Sequence, residues 1–400
     1  MTKNALPSST AAEIELKLLL PGAQPGKIEA LLARQPLLAA QTAQRRWLWN
    51  RYFDTPELDL QRQRVALRVR RSSTQAKSSG SDTWVQTLKT AGQSQGGLSQ
   101  RGEWETTVAD GELSTAALAE LPAWAELDPD SAWLARLQPC FETRCRRSTW
   151  RVTHHDGSVV EVALDVGEIA AAGQSLPLLE LELELLSGQP GALFEMAQTL
   201  AQAVAVLPCD VSKAERGYAL AEGSVHAPVR ARALPLGKKW GPQRAATLVL
   251  GEVLEQFTRN LAALCHADHP ELVHQARVAW RRWRSVERLL RPWLPHTLDR
   301  TPLRPLLDAL GALRDLDVAH TDTLPLWADA FTAHNASNAN VLQQALDALE
   351  QASVQQRTAA RQLLATPATG LALLALAQWL HGMSATPAQP PAPRDWAHAR

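Results

Sequence analysis

Two stretches alternate acid with aliphatic residues, and they restrict the fold more than anything else in the chain. Glu13-Ile14-Glu15-Leu16-Lys17 lies near the start, and Leu178–Gly188 (LLELELELLSG) sets Glu180, Glu182 and Glu184 between leucines. In a strand, successive side chains point to opposite faces. Each stretch is therefore a strand with one apolar and one charged face. The first puts Glu13, Glu15 and Lys17 together, against Ile14, Leu16 and Leu18. A charged face either lies in water or, if turned inward, needs partners or a bound ion. Two such strands side by side would make one wall of a metal site.

The same alternation recurs. Val65–Arg70 puts Arg68 and Arg70 on the face of Ala66, and Thr83–Lys89 puts Lys89 with Thr87. Gln100–Thr106 groups Arg101, Glu103 and Glu105. Phe141–Val152 carries Arg147, and Val159–Asp165 groups Glu161, Ala163 and Asp165. With Arg46–Phe53, which ends at the Asp54-Thr55-Pro56 turn, about eight strands are predicted. Between them the spacing predicts helices over Pro25–Gln35 and Gly191–Val206, Pro-punctuated helix over 112–139, and a hairpin loop over Ser72–Asp82. His154 and His155 fall in a turn before Asp156-Gly157, where solvation is expected. Two architectures suit this pattern. A flat sheet would show the charged faces to solvent, whereas a closed barrel or tunnel would wrap them around a polyanion and its metals. Carboxylates hold hard divalent cations, and Arg and Lys neutralise phosphate.

With 400 residues, 45% of them hydrophobic, the chain can bury two or three cores. Its net charge of zero argues against a general nucleic-acid binder. Four cysteines without CxxC spacing read as reduced thiols. No signal-peptide pattern opens the chain, and no apolar run is long enough to span a bilayer. A cytoplasmic protein without membrane contact is expected. From Gly241 onward the spacing is helical throughout. Within His274–Arg291, residues Arg277, Arg281, Arg284, Arg288 and Arg291 form one stripe, with His274 at its edge. Residues 225–304 hold 14 Lys/Arg against 6 Asp/Glu. The stripe itself contains no acid to relieve repulsion among its arginines, which favours an anionic ligand over a plain solvated face.

The first 220 residues resemble CYTH domains, the triphosphate tunnel metalloenzymes. The ExExK motif at Glu13–Lys17 is followed, in that family's order, by YFDTP (Tyr52–Pro56), LRVR (Leu67–Arg70), Leu88-Lys89, GGLSQRGEWE (Gly96–Glu105), VALDVGEI (Val162–Ile169), LELELELLSG and SKAERGY (Ser212–Tyr218). The resemblance is greatest to bacterial inorganic triphosphatases. It implies an α+β chain that begins with an eight-stranded antiparallel β-tunnel. It implies Mg2+ or Mn2+ held by Glu13, Glu15, Asp165, Glu180 and Glu182. Lys17, Arg68, Arg70, Lys89, Arg101, Arg147 and Lys213 would grip the phosphates. Glu13, Glu15 and Lys17 would serve catalysis in metal-assisted hydrolysis of tripolyphosphate to pyrophosphate and phosphate. Glu184 continues the alternation but is not assigned as a ligand.

The helical part resembles the opening of a CHAD domain through His274, Arg277, Arg281 and Arg284, and through Gly311, Arg314, Asp315 and Asp317 of LGALRDLDV. That resemblance implies an all-α helical bundle binding inorganic polyphosphate through His274, Arg277, Arg281, Arg284 and Arg288. Association with polyphosphate granules is a further expectation. CHAD domains hold two similar halves, and the chain ends at Arg394–Arg400 where a second would begin, so the domain is expected to be partial. The expected layout is a catalytic tunnel over 9–220, a linker over 221–240 and a helical domain over 241–400. Alternatives in the same tunnel are a thiamine or nucleoside triphosphatase or an adenylate cyclase. A non-catalytic polyphosphate-binding protein is the alternative of another class.

Overall fold

The structure, a computed structural model, describes residues 11–76, 82–237, 239–295, 298–333 and 337–383. Part of the expected Ser72–Asp82 loop and the whole Arg394–Arg400 segment lie outside the described residues. The chain divides into two compact units, Met1–Leu200 with Cys209–Val225, and Ala201–Pro208 with His226–Arg400.

The first unit is built on strands β1 (Ala11–Leu19), β2 (Gln44–Asp54), β3 (Ala66–Ser73), β4 (Thr83–Lys89), β5 (Gln93–Gln95), β6 (Leu98–Val108), β7 (Gln138–Thr153), β8 (Val159–Ala171) and β9 (Gln174–Ser187). Eight of them run antiparallel in the order β1-β9-β8-β7-β2-β3-β4-β6, and a β1–β6 ladder closes the ring. This is the closed one of the two architectures that the alternation allows, and the eight-stranded tunnel that the CYTH resemblance implies. Short β5, not anticipated, adds to β6. Strand β8 runs on past Asp165 to Ala171 through a glycine that local alternation does not favour. Gly167 sits so close to β7 that a Cβ there would lie 1.9 Å from the Arg144 carbonyl oxygen.

The barrel is apolar on its outside and charged on its inside. Leu16, Leu18, Leu181, Leu183, Val162 and Leu164 point outward and are buried. Leu67, Val69 and Leu88, on the outer face of β3 and β4, form a core with Leu118, Leu121 and Trp124. Those three come from α4 (Thr115–Ala119), the residue before α5 (Pro122–Leu127), and α5 itself. Shorter helices α1 (Ile28–Ala33), α2 (Pro36–Ala39) and α3 (Asp59–Arg62) lie in the connections, and α6 (Gly191–Ala201) follows β9. Full burial of a leucine or valine contributes roughly 1.5–3 kcal/mol. The outward residues thus supply the fold's apolar core and leave the inner face to polar chemistry.

Helix α7 (Lys213–Ala221) packs on β7 and β8. Its start is fixed by a capping box: the Ser212 side chain accepts from Glu215 N, and Glu215 accepts from Ser212 N. Ala214, Tyr218 and Leu220 join Tyr52 and Phe141 in a second core. Gly217 lies flat on the Phe141 ring, where a Cβ would come within 2.2 Å. The Tyr218 hydroxyl donates to Asp54 Oδ2 at 2.7 Å.

The second unit holds α8 (Pro242–Leu264), α9 (Pro270–Leu290), α10 (Arg304–Val318), α11 (Leu324–Thr332), α12 (Ser337–Leu364) and α13 (Pro367–Met383). Helix α8 packs on α9, and α10 on α12. The apolar face of α9 buries Leu272, Val273, Ala276, Ala279, Trp280 and Trp283, with Trp283 5.9 Å from Trp379 between ring centroids. Among the described residues, no single helix is long and apolar enough to cross a membrane.

Candidate active site

The inner face of the barrel encloses a cavity of about 220 Å³. Seven cations line it: Lys17, Arg68, Arg70, Lys89, Arg101, Arg147 and Lys213. So do seven carboxylates, those of Glu13, Glu15, Glu103, Glu105, Glu161, Glu182 and Glu184. The near-balance lets so many charges share a small space. All seven cations that the sequence assigns to phosphate are on this wall.

Cross-strand register explains the grouping. Glu15 pairs with Glu184 and Glu184 with Glu161, so three acids line up across β1, β9 and β8. One row along, Lys17 pairs with Glu182. Two rows along, Glu180 pairs with Asp165 and Asp165 with Arg147.

The Glu13 end is laced by two cations. Lys89 Nζ donates to both Glu13 oxygens at 2.7 and 2.8 Å, and Arg101 donates to Glu13 at 2.9 Å and to Glu15 at 2.8 Å. Burial would raise the Glu13 pKa, but Lys89 and Arg101 overcome it and hold the carboxyl far below the usual range. Glu15 is lowered in the same way, with Lys17 the main counter to burial. Glu184 goes the other way: burial, and then Glu13, push it up to about 7.

At the other end Arg147 grips Asp165 through two hydrogen bonds, at 2.7 and 2.6 Å, and reaches Glu182 at 2.6 Å. Oxygens of Asp165, Glu180 and Glu182 lie within 4.8 Å of one another, a spacing suited to a metal. The Lys213 ammonium contacts all three, at 2.8 Å from Asp165 and Glu182, with Glu180 closer still. Arg216 closes on the other oxygen of Glu180. The cationic place in this cluster is thus filled by side chains. Asp165 and Glu180 are fully buried and do not reach the cavity wall.

Sequence reasoning therefore put five carboxylates on metal, and the fold brings three of them, Glu13, Glu15 and Glu182, to the cavity. It adds Glu184, Glu161, Glu103 and Glu105, which the alternation sets on charged strand faces and the resemblance does not assign to metal. Arg216, which pairs with Glu180, was missed, because a helix at that point was not anticipated. Arg101 reaches Glu13 and Glu15, so its place is among the acids rather than beside Arg68 and Arg70. His154 is also less solvated than expected, its side chain being 9% exposed.

Arg68 and Arg70 are the least satisfied cations. Arg68 Nε is buried with no hydrogen-bond partner, and its nearest carboxylate, Glu103, is 3.8 Å away. Arg70 Nε donates to Asn50 Oδ1 at 2.8 Å. Burial and then the neighbouring Arg68 and Arg147 push the Arg70 pKa down to about 10. Crowded guanidiniums with spare donors favour a polyanion. The acids opposite offer only oxygen, which fits a hard divalent cation such as Mg2+ or Mn2+.

In the helical unit, Arg281, Arg284 and Arg288 are exposed, with Arg277 and His274 half-buried. Among the described residues, no carboxylate ion-pairs with these four arginines. Charges off the stripe are matched instead: Arg282 with Glu252 at 2.7 Å, and Arg300 with Glu287 at 2.6 Å. Gly311 of α10 makes room for Arg277, whose Nη1 lies 2.9 Å from where a Cβ would be. Asp317 is buried against Arg357 at 3.3 Å.

The CYTH domain family model matches residues 11–218, and the CHAD domain model matches residues 248–400. An inorganic triphosphatase of Haemophilus influenzae is 34% identical over 209 residues, covering 52% of this chain and 54% of that one. The chain thus spans about half the length of this curated relative. Two solved structures are also similar. A Hippeastrum protein, described as a candidate adenylyl cyclase with a dominant triphosphatase activity, is 18% identical with a TM-score of 0.39, over 56% of this chain and 98% of its own. The CHAD domain from the plant Ricinus communis is 32% identical with a TM-score of 0.35, over 41% of this chain and 54% of its own.

Proposed function

Because the chain belongs to the CYTH domain family through residues 11–218 and carries a CHAD domain after it, we propose that its tunnel hydrolyses tripolyphosphate to pyrophosphate and phosphate. One observation carries this reading: Arg68 and Arg70, with unspent hydrogen-bonding capacity, face carboxylates across a single enclosed cavity. Phosphate oxygens would take up the guanidinium donors of Arg68 and Arg70 through paired hydrogen bonds, with Arg147 as a further guanidinium and Lys17, Lys89 and Lys213 as point charges. A divalent cation would be held by Glu13, Glu15, Glu182 and Glu184, with Glu161 beside them. When bound, it supplies charge neutralisation at the phosphates and a more acidic water. Side chains on eight hydrogen-bonded strands are already aimed, so little reorganisation opposes the shift of charge during cleavage. Lys89 and Arg101 keep Glu13 ionised, and Lys17 with Arg101 keeps Glu15 ionised, ready for a cation. The relative's description as an inorganic triphosphatase supports the choice of substrate.

The test is phosphate release from tripolyphosphate with Mg2+ or Mn2+, on the wild type and on Glu13→Ala/Glu15→Ala. Loss of turnover in the variant is expected, and equal turnover would remove the site assignment. Running ATP and thiamine triphosphate in parallel separates the other tunnel chemistries.

A second reading concerns the helical unit, where the unpaired stripe favours an anionic ligand. Arg277, Arg281, Arg284 and Arg288, with His274, would bind long-chain polyphosphate. Binding should weaken steeply with salt and fall in Arg281→Glu/Arg284→Glu, leaving tripolyphosphate turnover intact. Unchanged polyphosphate binding in that variant would rule the stripe out.

A further inference from the structure

The hairpin that joins β7 to β8 gathers nitrogen and oxygen donors away from the tunnel. Along a strand, neighbouring side chains diverge, but β7 ends at Thr153 and the chain then turns. His154 N donates to Ser158 O at 2.7 Å, Gly157 N donates to His154 O at 3.0 Å, and Gly157 takes a φ of +88°. The turn brings the rings of His154 and His155 together, with centroids 4.0 Å apart. Helix α6 supplies Glu195. Its approach is pinned where Gln189 N donates to Ser158 Oγ at 3.0 Å, and where Gly188 passes too close to Ser158 for any side chain.

Ligand atoms of His154, His155 and Glu195 all lie within 4.8 Å of one another. The central pair is tighter: His154 Nε2 is 3.3 Å from Glu195 Oε2. Donors about 2.1 Å from a tetrahedral ion stand about 3.4 Å apart, so this pair already has the span of two ligands on one metal. On the far side of the ring, Asp156 Oδ1 lies 2.9 Å from His154 Nδ1 and is itself held by Ser158 N at 2.8 Å. A carboxylate behind an imidazole, with the second nitrogen aimed at an acid, is the arrangement that orients metal-bound histidine. His154 Nδ1 is buried and lacks a well-aligned hydrogen-bond partner. The ring is thus placed in position without being fully satisfied there.

We propose that His154, His155 and Glu195 form a binding site for a first-row ion of zinc type, with Asp156 as the positioning residue. Imidazole ligands select borderline ions of this kind, whereas the all-carboxylate tunnel suits Mg2+ or Mn2+. The bound ion ties the β7–β8 hairpin to α6, and water completes its coordination.

The experiment titrates the full chain with Zn2+ against a chromogenic chelator, with Mg2+ in excess to occupy carboxylate sites. X-ray absorption then counts imidazole ligands on the bound zinc. The wild type should retain one zinc with two imidazoles. His154→Gln/His155→Gln should lose that zinc and its imidazole signal while hydrolysing tripolyphosphate with Mg2+ at the wild-type rate. Glu195→Gln, a half-exposed surface change, should weaken binding while leaving both imidazoles on the ion. Asp156→Asn should weaken it about 10–100-fold, as expected of a positioning carboxylate. Zinc held equally well by the double-histidine variant, or wild-type zinc without imidazole ligands, would overturn the proposal.

Discussion

Glu180 and Glu184 sit on one strand, four residues apart and on the same face, yet their surroundings give them opposite work. Glu184 opens to the cavity with Glu15 and Glu161 beside it, and burial followed by the Glu13 carboxylate raises its pKa. Glu180 is fully buried and is held by Lys213 and Arg216. Removing one partner of a buried ion pair strands the others and costs roughly 3–5 kcal/mol. Glu180→Ala should therefore lower the urea unfolding midpoint markedly. Glu184→Ala should leave the midpoint nearly unchanged but weaken Mg2+ or Mn2+ dependence of tripolyphosphate turnover. If Glu184→Ala destabilises as much as Glu180→Ala, the cavity-facing acid is structural and the division is wrong.

Helix α7 shows the same economy at the scale of an element. Ser212 caps it, Lys213 enters the acidic cluster one residue later, and Tyr218 locks the far turn to Asp54. The cap therefore sets the position of a cavity cation as well as the helix start. Ser212→Ala should cost about 0.5–2 kcal/mol of stability. It should also raise KM for tripolyphosphate, since Lys213 loses its fixed origin, whereas Ser212→Asp should restore both. A stability loss with unchanged KM would separate the helix from the site. The SKAERGY motif sets Ser212 directly before Lys213. The capping box that makes it a helix depends on Glu215, three residues on, and was legible there.

Across the whole molecule, opposite charges are stored in pairs that acid should dismantle. Glu15, Glu182 and Asp165 all have pKa values lowered on folding: burial opposes ionisation, but Lys17, Lys213 and Arg147 respectively outweigh it. A lowered folded pKa contributes stability above the unfolded value, and that stability is lost as pH falls toward the folded one. The urea midpoint should thus decline steadily as pH falls below about 4.5. A midpoint flat through that acidic range would mean that these pairs contribute nothing. Alternation alone leaves a flat sheet and a closed barrel both open, but it does set which side chains share the charged face of each strand, and helical spacing sets where the chain turns helical after Gly241. Those properties are local: alternation with period two assigns a face, and helical spacing assigns a stripe. How deep each inward residue lies is set by the folded barrel. Depth follows from register between strands far apart in sequence, set by ring closure at β1 and β6 and by approaches such as Gly167 against Arg144. For that reason the chain alone shows Glu13 with Glu15 and Arg68 with Arg70 on charged strand faces, and their proposed roles come from the resemblance. The exchange of Asp165 and Glu180 for Glu161 and Glu184 at the cavity wall is not legible there.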